Sequence, residues 1–192
     1  MPKFRESGMP AEVVWEEFYH PDEVWRQLQL PSKVNTLLDI GCGYGTFLLP
    51  AAHIIHGTAI GLDIDSGMVA ICKAKADEWG LQNVIVMQGD IADHDTVNSL
   101  YRLAHTIDFI SLFNILHGED PLSLLLTAHS LLSAEGKLGV IHWNPHETPR
   151  GPALAIRPTP QQIMTWAYQA GFALDHQVDL KPHHFGFVFS KN

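Results

Sequence analysis

The apolar run Leu37-Leu38-Asp39-Ile40 breaks abruptly into Gly41-Cys42-Gly43-Tyr44-Gly45, and a helix-like apolar segment resumes at Phe47. Strand, glycine turn and helix in that order build the corner that holds a nucleotide at the carboxyl edge of a parallel sheet. Glycines at alternate positions let the chain turn tightly and let a ligand approach the main chain. The helix that follows offers unpaired N–H groups and the positive end of its dipole. Asp39 discriminates between ligands. A carboxylate at the strand tip repels a pyrophosphate and attracts an ammonium group. The dinucleotide fingerprint G-x-G-x-x-G also fails here, because Thr46 stands where its third glycine belongs.

Further apolar segments end in acids at regular intervals. Thr58-Ala59-Ile60-Gly61-Leu62-Asp63 reads as a second buried strand, and Asp63 lies 20 residues beyond Gly43. That spacing suits a carboxylate accepting hydrogen bonds from ribose hydroxyls, whether the ribose belongs to NAD or to another adenosine cofactor. Asn83 to Ile91 is a third strand ending in Gly89-Asp90, and Ile107 to His117 a fourth. Periodicity and spacing by themselves specify a parallel α/β sheet with a nucleotide at its carboxyl edge.

The string D-x-G-x-G-x-G from Asp39 to Gly45, with Asp63, Gly89-Asp90, the fourth strand into Asn114-Ile115-Leu116-His117, and Ser130-Leu131-Leu132-Ser133-Ala134-Glu135-Gly136 before a fifth strand, resembles the class I S-adenosylmethionine (SAM)-dependent methyltransferases. The resemblance runs from about Val34 to Val188. It is nearest to the small, ubiquinone-biosynthesis-like (type 11) members. A common family form carries two glycines where this chain has Glu135-Gly136. The resemblance implies a Rossmann-like, seven-stranded, mostly parallel sheet with helices on both faces and a C-terminal antiparallel hairpin. It also implies SAM as cofactor, with S-adenosylhomocysteine (SAH) as product, and transfer of a methyl group to a small molecule. Asp39 would hold the methionine ammonium. Gly41, Cys42 and Gly43 would lie along the methionine part, with Cys42 serving as a small neutral residue. Asp63 would take the ribose, Ile64 would pack on adenine, and Asp90 with Ile91 would read its polar edge. Asn114 would touch the methionine end. On this view Asp63 is a ligand rather than a scaffold residue, and its removal should cost SAM affinity and little stability.

The acceptor side is less specified, because methyl transfer from a sulfonium demands alignment and dryness more than any particular residue. His117 follows the fourth strand tip, where it can line the pocket or accept a proton. A structural histidine bonded to backbone fits the same position. After the fifth strand comes a proline-rich loop from Trp143 to Pro158. Trp143 would give it an apolar wall, and Glu147 or Arg150 a polar contact. A surface loop with one half-buried tryptophan is the alternative.

At 192 residues the chain reads as one domain, with 1–30 a helical cap and 31–192 the SAM-binding core. The formal charge of −9 and the absence of a basic run argue against a nucleic-acid substrate. Apolar stretches are strand-length, so no membrane span is expected. The two cysteines suit a reducing compartment, and the expected location is cytoplasmic. A monomer or homodimer is expected. Despite 12 histidines, no pair combines H-x-x-x-H spacing on a helix with the acid that zinc hydrolases use, and no metal is expected. Two other functions fit the same fold: an NAD(P)-dependent oxidoreductase, disfavoured by Thr46, and a non-catalytic SAM-binding protein.

The expected elements are strands at 34–40, 58–63, 83–88, 107–113, 136–142, 172–179 and 184–190. Helices are expected at 45–55, 66–79, 94–104, 120–132 and from Thr159 to Ala170. Two short helices, one over Pro10 to Tyr19 and one from Pro21 through Leu28, precede the first strand.

Overall fold

A computed structural model describes residues 20–104 and 106–191; the expected helix over Pro10 to Tyr19 lies outside them. The chain enters through helix α1 (Pro21–Gln27) and strand β1 (Thr36–Ile40). It continues through α2 (Leu48–Ile54), β2 (Thr58–Asp63), α3 (Ser66–Glu78), β3 (Val84–Gln88), α4 (His94–Leu103) and β4 (Ile107–Phe113). Helix α5 (Pro121–Leu131), β5 (Leu132–Trp143), α6 (Pro160–Gln169) and the hairpin β6 (Phe172–Leu180) and β7 (His184–Lys191) complete it. The sheet order is β3-β2-β1-β4-β5-β7-β6. The first five strands run parallel, and β7 is antiparallel to both β5 and β6. The expected fold class is therefore the observed one.

Burial explains the pattern of strands. Every residue of β1 is buried, as a central parallel strand covered on both faces requires. Edge strand β3 has only Val86 buried. Helices α1–α3 pack on one face around Leu37, Leu48, Phe109 and Phe113. Helices α4–α6 pack on the other around Leu38, Ile60, Ile110 and Phe187. Trp25 ties α1 into the first face: it is 1% exposed, its Nε1 donates to the Phe47 carbonyl at 2.9 Å, and its ring meets Phe109 edge-on at 5.8 Å.

Side-chain caps set where helices begin. Asp65, Asp93 and Asp120 accept from the N–H groups of Gly67, Thr96 and Ser123. Thr159 and Gln162 make both arms of a capping box at α6. Two boundaries differ from expectation by three residues or more. Helix α2 begins at Leu48 because the glycine turn continues past Gly45. Strand β5 begins at Leu132, directly after α5, because buried Leu132 pairs with Ile107 before a register shift brings Lys137 opposite Phe109.

Chain direction places the site. From β1 the chain passes through α2 to β2 on one side, whereas β4 flanks β1 on the other. The strand order reverses between β1 and β4, and a crevice opens at their carboxyl ends.

Candidate functional site

The crevice spans about 620 Å³, part of it open solvent. Its walls come from the tips of β1 (Ile40, Gly41), β2 (Leu62, Asp63, Ile64) and β3 (Gly89, Asp90, Ile91). The segment after β4 adds Ile115, His117 and Gly118, and α5 adds Leu124. Of the residues expected to bind cofactor, Gly41, Asp63, Ile64, Asp90 and Ile91 line it. Asp39, Cys42, Gly43 and Asn114 lie beside it in chain and fold, but outside its lining.

The glycine turn is shaped by its conformations. Gly41 has φ +77°, and a Cβ there would stand 3.0 Å from Ile115 Cγ2. Only glycine holds that turn while keeping the floor of the crevice low. Gly45, at φ +81°, sits where a Cβ would be 2.7 Å from Cys72 Sγ. Cys42 is 5% exposed, and its thiol is pushed far up by contact with Cys72 and by burial, so it stays neutral. Asn114 takes φ +59° just beyond β4, a conformation asparagine tolerates better than most residues, and donates its N–H to the Ile141 carbonyl at 2.8 Å.

The acids differ in role. Asp39 is 3% exposed and accepts a 2.6 Å hydrogen bond from the Ser111 hydroxyl. Burial raises its pKa to about 7; the Ser111 bond opposes the shift and the Asp63 charge adds to it. Asp63 is half-buried, and both its oxygens already accept backbone N–H bonds: Oδ2 from Gly43 at 2.8 Å and Oδ1 from Asp65 at 2.9 Å. It therefore pins the glycine turn to the tip of β2. The expectation that removing Asp63 costs little stability is set against these two bonds, which the carboxylate makes without a ligand. Each carboxylate oxygen keeps a further lone pair for a ligand. Asp90 holds its own turn through Ala92 N–H at 2.9 Å.

On the other side of the crevice, His117 is the titratable group in the wall. Burial lowers its pKa and the nearby Arg157 charge adds to this, against the Asn114 carbonyl beside the ring. Behind it lies His142, fully buried on β5, with ring centroids 5.5 Å apart and planes at 76°. Burial first, then the neighbouring His117, lowers the pKa of His142 to about 3.

The segment after β5 is stapled by Arg157, a residue that sequence reasoning missed. Its guanidinium is buried and donates to the carbonyls of Pro152 (2.7 Å), Asn144 (3.1 Å), His146 (3.0 Å) and Arg150 (3.0 Å), and to Thr148 Oγ1 (2.8 Å). It also lies 5.6 Å from the centre of the Trp143 ring. Trp143 is 1% exposed and packs on His184 at 4.1 Å, outside the crevice lining. Glu147 and Arg150 are exposed on the loop, also outside that lining. Of the expected acceptor-side residues, the crevice thus gathers His117 alone. Two signals were present in the sequence: Ser111, a lone hydroxyl inside an apolar strand, and Arg157, a lone cation in a proline-rich stretch.

A crevice at the strand-order reversal, floored by a glycine turn and edged by acids from two neighbouring strand tips, Asp63 and Asp90, defines the nucleotide-binding α/β class. Its residues suit an adenosine bearing an amino acid: a half-buried carboxylate, Asp63, at a strand tip, an apolar Ile64 left 41% exposed, and a buried acid beside the glycine turn. The chain belongs to the methyltransferase-domain family, which matches residues 31–171. Its cofactor is SAM. Over 81 residues it is 49% identical to nocamycin O-methyltransferase of Saccharothrix syringae, covering 40% of this chain and 29% of that enzyme. Over 92 residues it is 43% identical to aklanonic acid methyltransferase DauC of Streptomyces sp. (strain C5), covering 45% and 41%. These matches span less than half the length of those relatives. A SAM-dependent methyltransferase from Aquifex aeolicus superimposes with a TM-score of 0.79 at 22% identity, covering 92% of both chains. The family and fold inferred from sequence are borne out, and the comparisons do not favour the oxidoreductase or non-catalytic alternatives. Among the described residues, no helix is long and apolar enough to cross a membrane.

Proposed function

We propose that this protein transfers a methyl group from SAM to a small-molecule acceptor in the cytoplasm, as one domain with residues 1–30 as its cap. The observation that carries this is a single crevice joining Asp63 and Asp90 at one end to His117, Ile115 and Leu124 at the other. Asp63 would hold the ribose, Ile64 the adenine face, and Asp90 with Ile91 the adenine edge. Asp39, Gly41, Cys42, Gly43 and Asn114 would surround the methionine part. Bound there, SAM supplies a methyl on a positively charged sulfur; that C–S bond breaks as the acceptor's bond to the methyl forms, and its electron pair stays with sulfur.

His117 would accept the proton that a hydroxyl acceptor must lose. A histidine that stays neutral at physiological pH is ready for this role. The loop after β5 would close the acceptor end, with Trp143 anchoring it and Glu147 and Arg150 offering charges from its exposed side. The acidic balance of the chain supports a small molecule over a nucleic acid, as do the names of the nocamycin and aklanonic acid methyltransferases. Thermal shift tests the cofactor assignment. SAM and SAH should each raise the melting temperature, and NAD, NADP and ATP should not. Stabilisation by NAD with none by SAM or SAH would overturn the proposal.

A further inference from the structure

Across the centre of the sheet, one row of residues in register reads Gly61 on β2, Asp39 on β1, Ser111 on β4 and Gly139 on β5. The two polar side chains stand side by side, and the strands flanking them bring no side chain at this level. Neither glycine has room for one: a Cβ on Gly61 would stand 2.6 Å from Leu48 Cδ2, and one on Gly139 would stand 2.9 Å from the Phe109 ring. Leu37, Phe109 and Phe113, two residues along the same strands, belong to the apolar core of this face. Asp39 is 3% exposed and Ser111 is fully buried. The pair is a polar island in an apolar layer, two residues before Gly41 opens the glycine turn.

A buried carboxylate needs donors, and Asp39 has one. The Ser111 hydroxyl donates to Oδ1 at 2.6 Å, and among the described residues no other group donates to this side chain. The titratable neighbours do not help it to ionise. The Asp63 charge on β2 works against ionisation, the Cys42 thiol in the turn stays neutral, and no lysine, arginine or histidine acts on it. Without the hydroxyl, burial and Asp63 both favour the protonated acid. An uncharged acid does not attract an ammonium group.

We propose that Ser111 is a positioning residue for cofactor binding: its hydroxyl fixes Asp39 through Oδ1, holds the carboxylate in its charged form, and leaves Oδ2 for the ammonium group of the methionine part. This rests on the methyltransferase proposal above and deepens its cofactor half. An Asp39 that carries a proton gives it to solvent as the amine docks, so one O–H bond breaks and one ion pair forms. Ser111 sets how often that proton has to leave. A lysine or arginine in its place would also keep Asp39 ionised, but it would neutralise the charge that the cofactor meets. A neutral donor leaves that charge in place.

Calorimetry of SAH binding between about pH 6 and pH 8, run in two buffers of different ionisation enthalpy, reads affinity and proton release together. The reference ligand is 5′-methylthioadenosine, which has the adenosine and the sulfur but no amine. At about pH 7 Asp39 is about half protonated, so in the wild type SAH should release about half a proton and 5′-methylthioadenosine none. Ser111→Ala should move the midpoint of the SAH affinity profile up by about one pH unit and bring the release at about pH 7 to about one proton. Its affinity for 5′-methylthioadenosine should stay at the wild-type value. Ser111→Thr, which keeps the hydroxyl, should restore the wild-type midpoint. With Asp39→Asn already in place, Ser111→Ala should change neither quantity, a result that lost packing alone would not give. A Ser111→Ala profile coincident with the wild type's would overturn the inference. So would an equal loss of affinity for both ligands, which marks Ser111 as scaffold. SAH binding to the wild type with no proton release across this range overturns it without any variant. A wild type that binds neither ligand overturns the methyltransferase proposal instead. The Ser111–Asp39 bond is then read from melting alone, where Ser111→Ala should lose stability against the wild type as the pH rises through about 7.

Discussion

Replacing Asp63 with alanine separates a ligand from a scaffold residue by magnitude. In the free protein the carboxylate accepts N–H bonds from Gly43 at 2.8 Å and from Asp65 at 2.9 Å. Hydrogen bonds to a charged group contribute about 1.5–3 kcal/mol each when buried, and about 1 kcal/mol is a fair share for each at this half-exposed position. The loss of about 2 kcal/mol corresponds to a fall of about 4–8 °C in melting temperature for a chain of this size. SAH affinity, measured by calorimetry, should fall further than stability alone explains. Two ribose contacts vanish and the glycine turn loses its pin, for a decrease of at least about tenfold, or 1.4 kcal/mol. Asp63→Asn keeps one acceptor oxygen and should recover about half of the stability but little of the affinity. An alanine variant that melts with the wild type would refute the clamp. One that melts lower yet binds SAH unchanged would refute the ribose contact and leave the clamp standing.

Two further expectations come from the buried charges. The folded-state pKa of Asp39, about 7, lies above the unfolded value of 3.8, so its contribution to stability is present below pH 3.8 and lost as the pH rises through about 7. A cationic ammonium beside it needs the carboxylate, so SAH affinity should rise about tenfold from about pH 6 to pH 8; calorimetry across that range checks it, and a flat wild-type profile, or one unchanged in Asp39→Asn, would contradict the contact. Arg157→Met removes the donors to four loop carbonyls and Thr148, so limited proteolysis should cut between Asn144 and Pro152 while SAH affinity stays within about twofold. Protease resistance equal to wild type would show that the loop does not depend on this staple.

What the sequence revealed and what it hid divide along a physical line. Strands β1, β2 and β4 were legible because a parallel strand buried on both faces must be apolar throughout, and their tips because glycine and acid end such runs in recognisable ways. The caps of α5 and α6 were legible because capping is local: Asp120 and Thr159 act on N–H groups three residues away. Asp63 was half legible. Its spacing pointed to a ribose, but its hold on Gly43 crosses from one βα unit to the next and depends on the register of β1 against β2. The Ser111–Asp39 bond needs the register of β4 against β1, which places those two residues opposite each other. The acceptor side depends wholly on such long-range meetings. Arg157 joins residues 5 to 13 positions earlier only once the loop has folded back, and His117 meets His142 because β4 and β5 are neighbours. A tryptophan in a proline-rich loop suggested a wall of the pocket, yet Trp143 ends a strand and fills the space beneath the loop that Arg157 gathers. The cofactor half of this site is thus written largely in local motifs, whereas the acceptor half is written in pairings between distant strands.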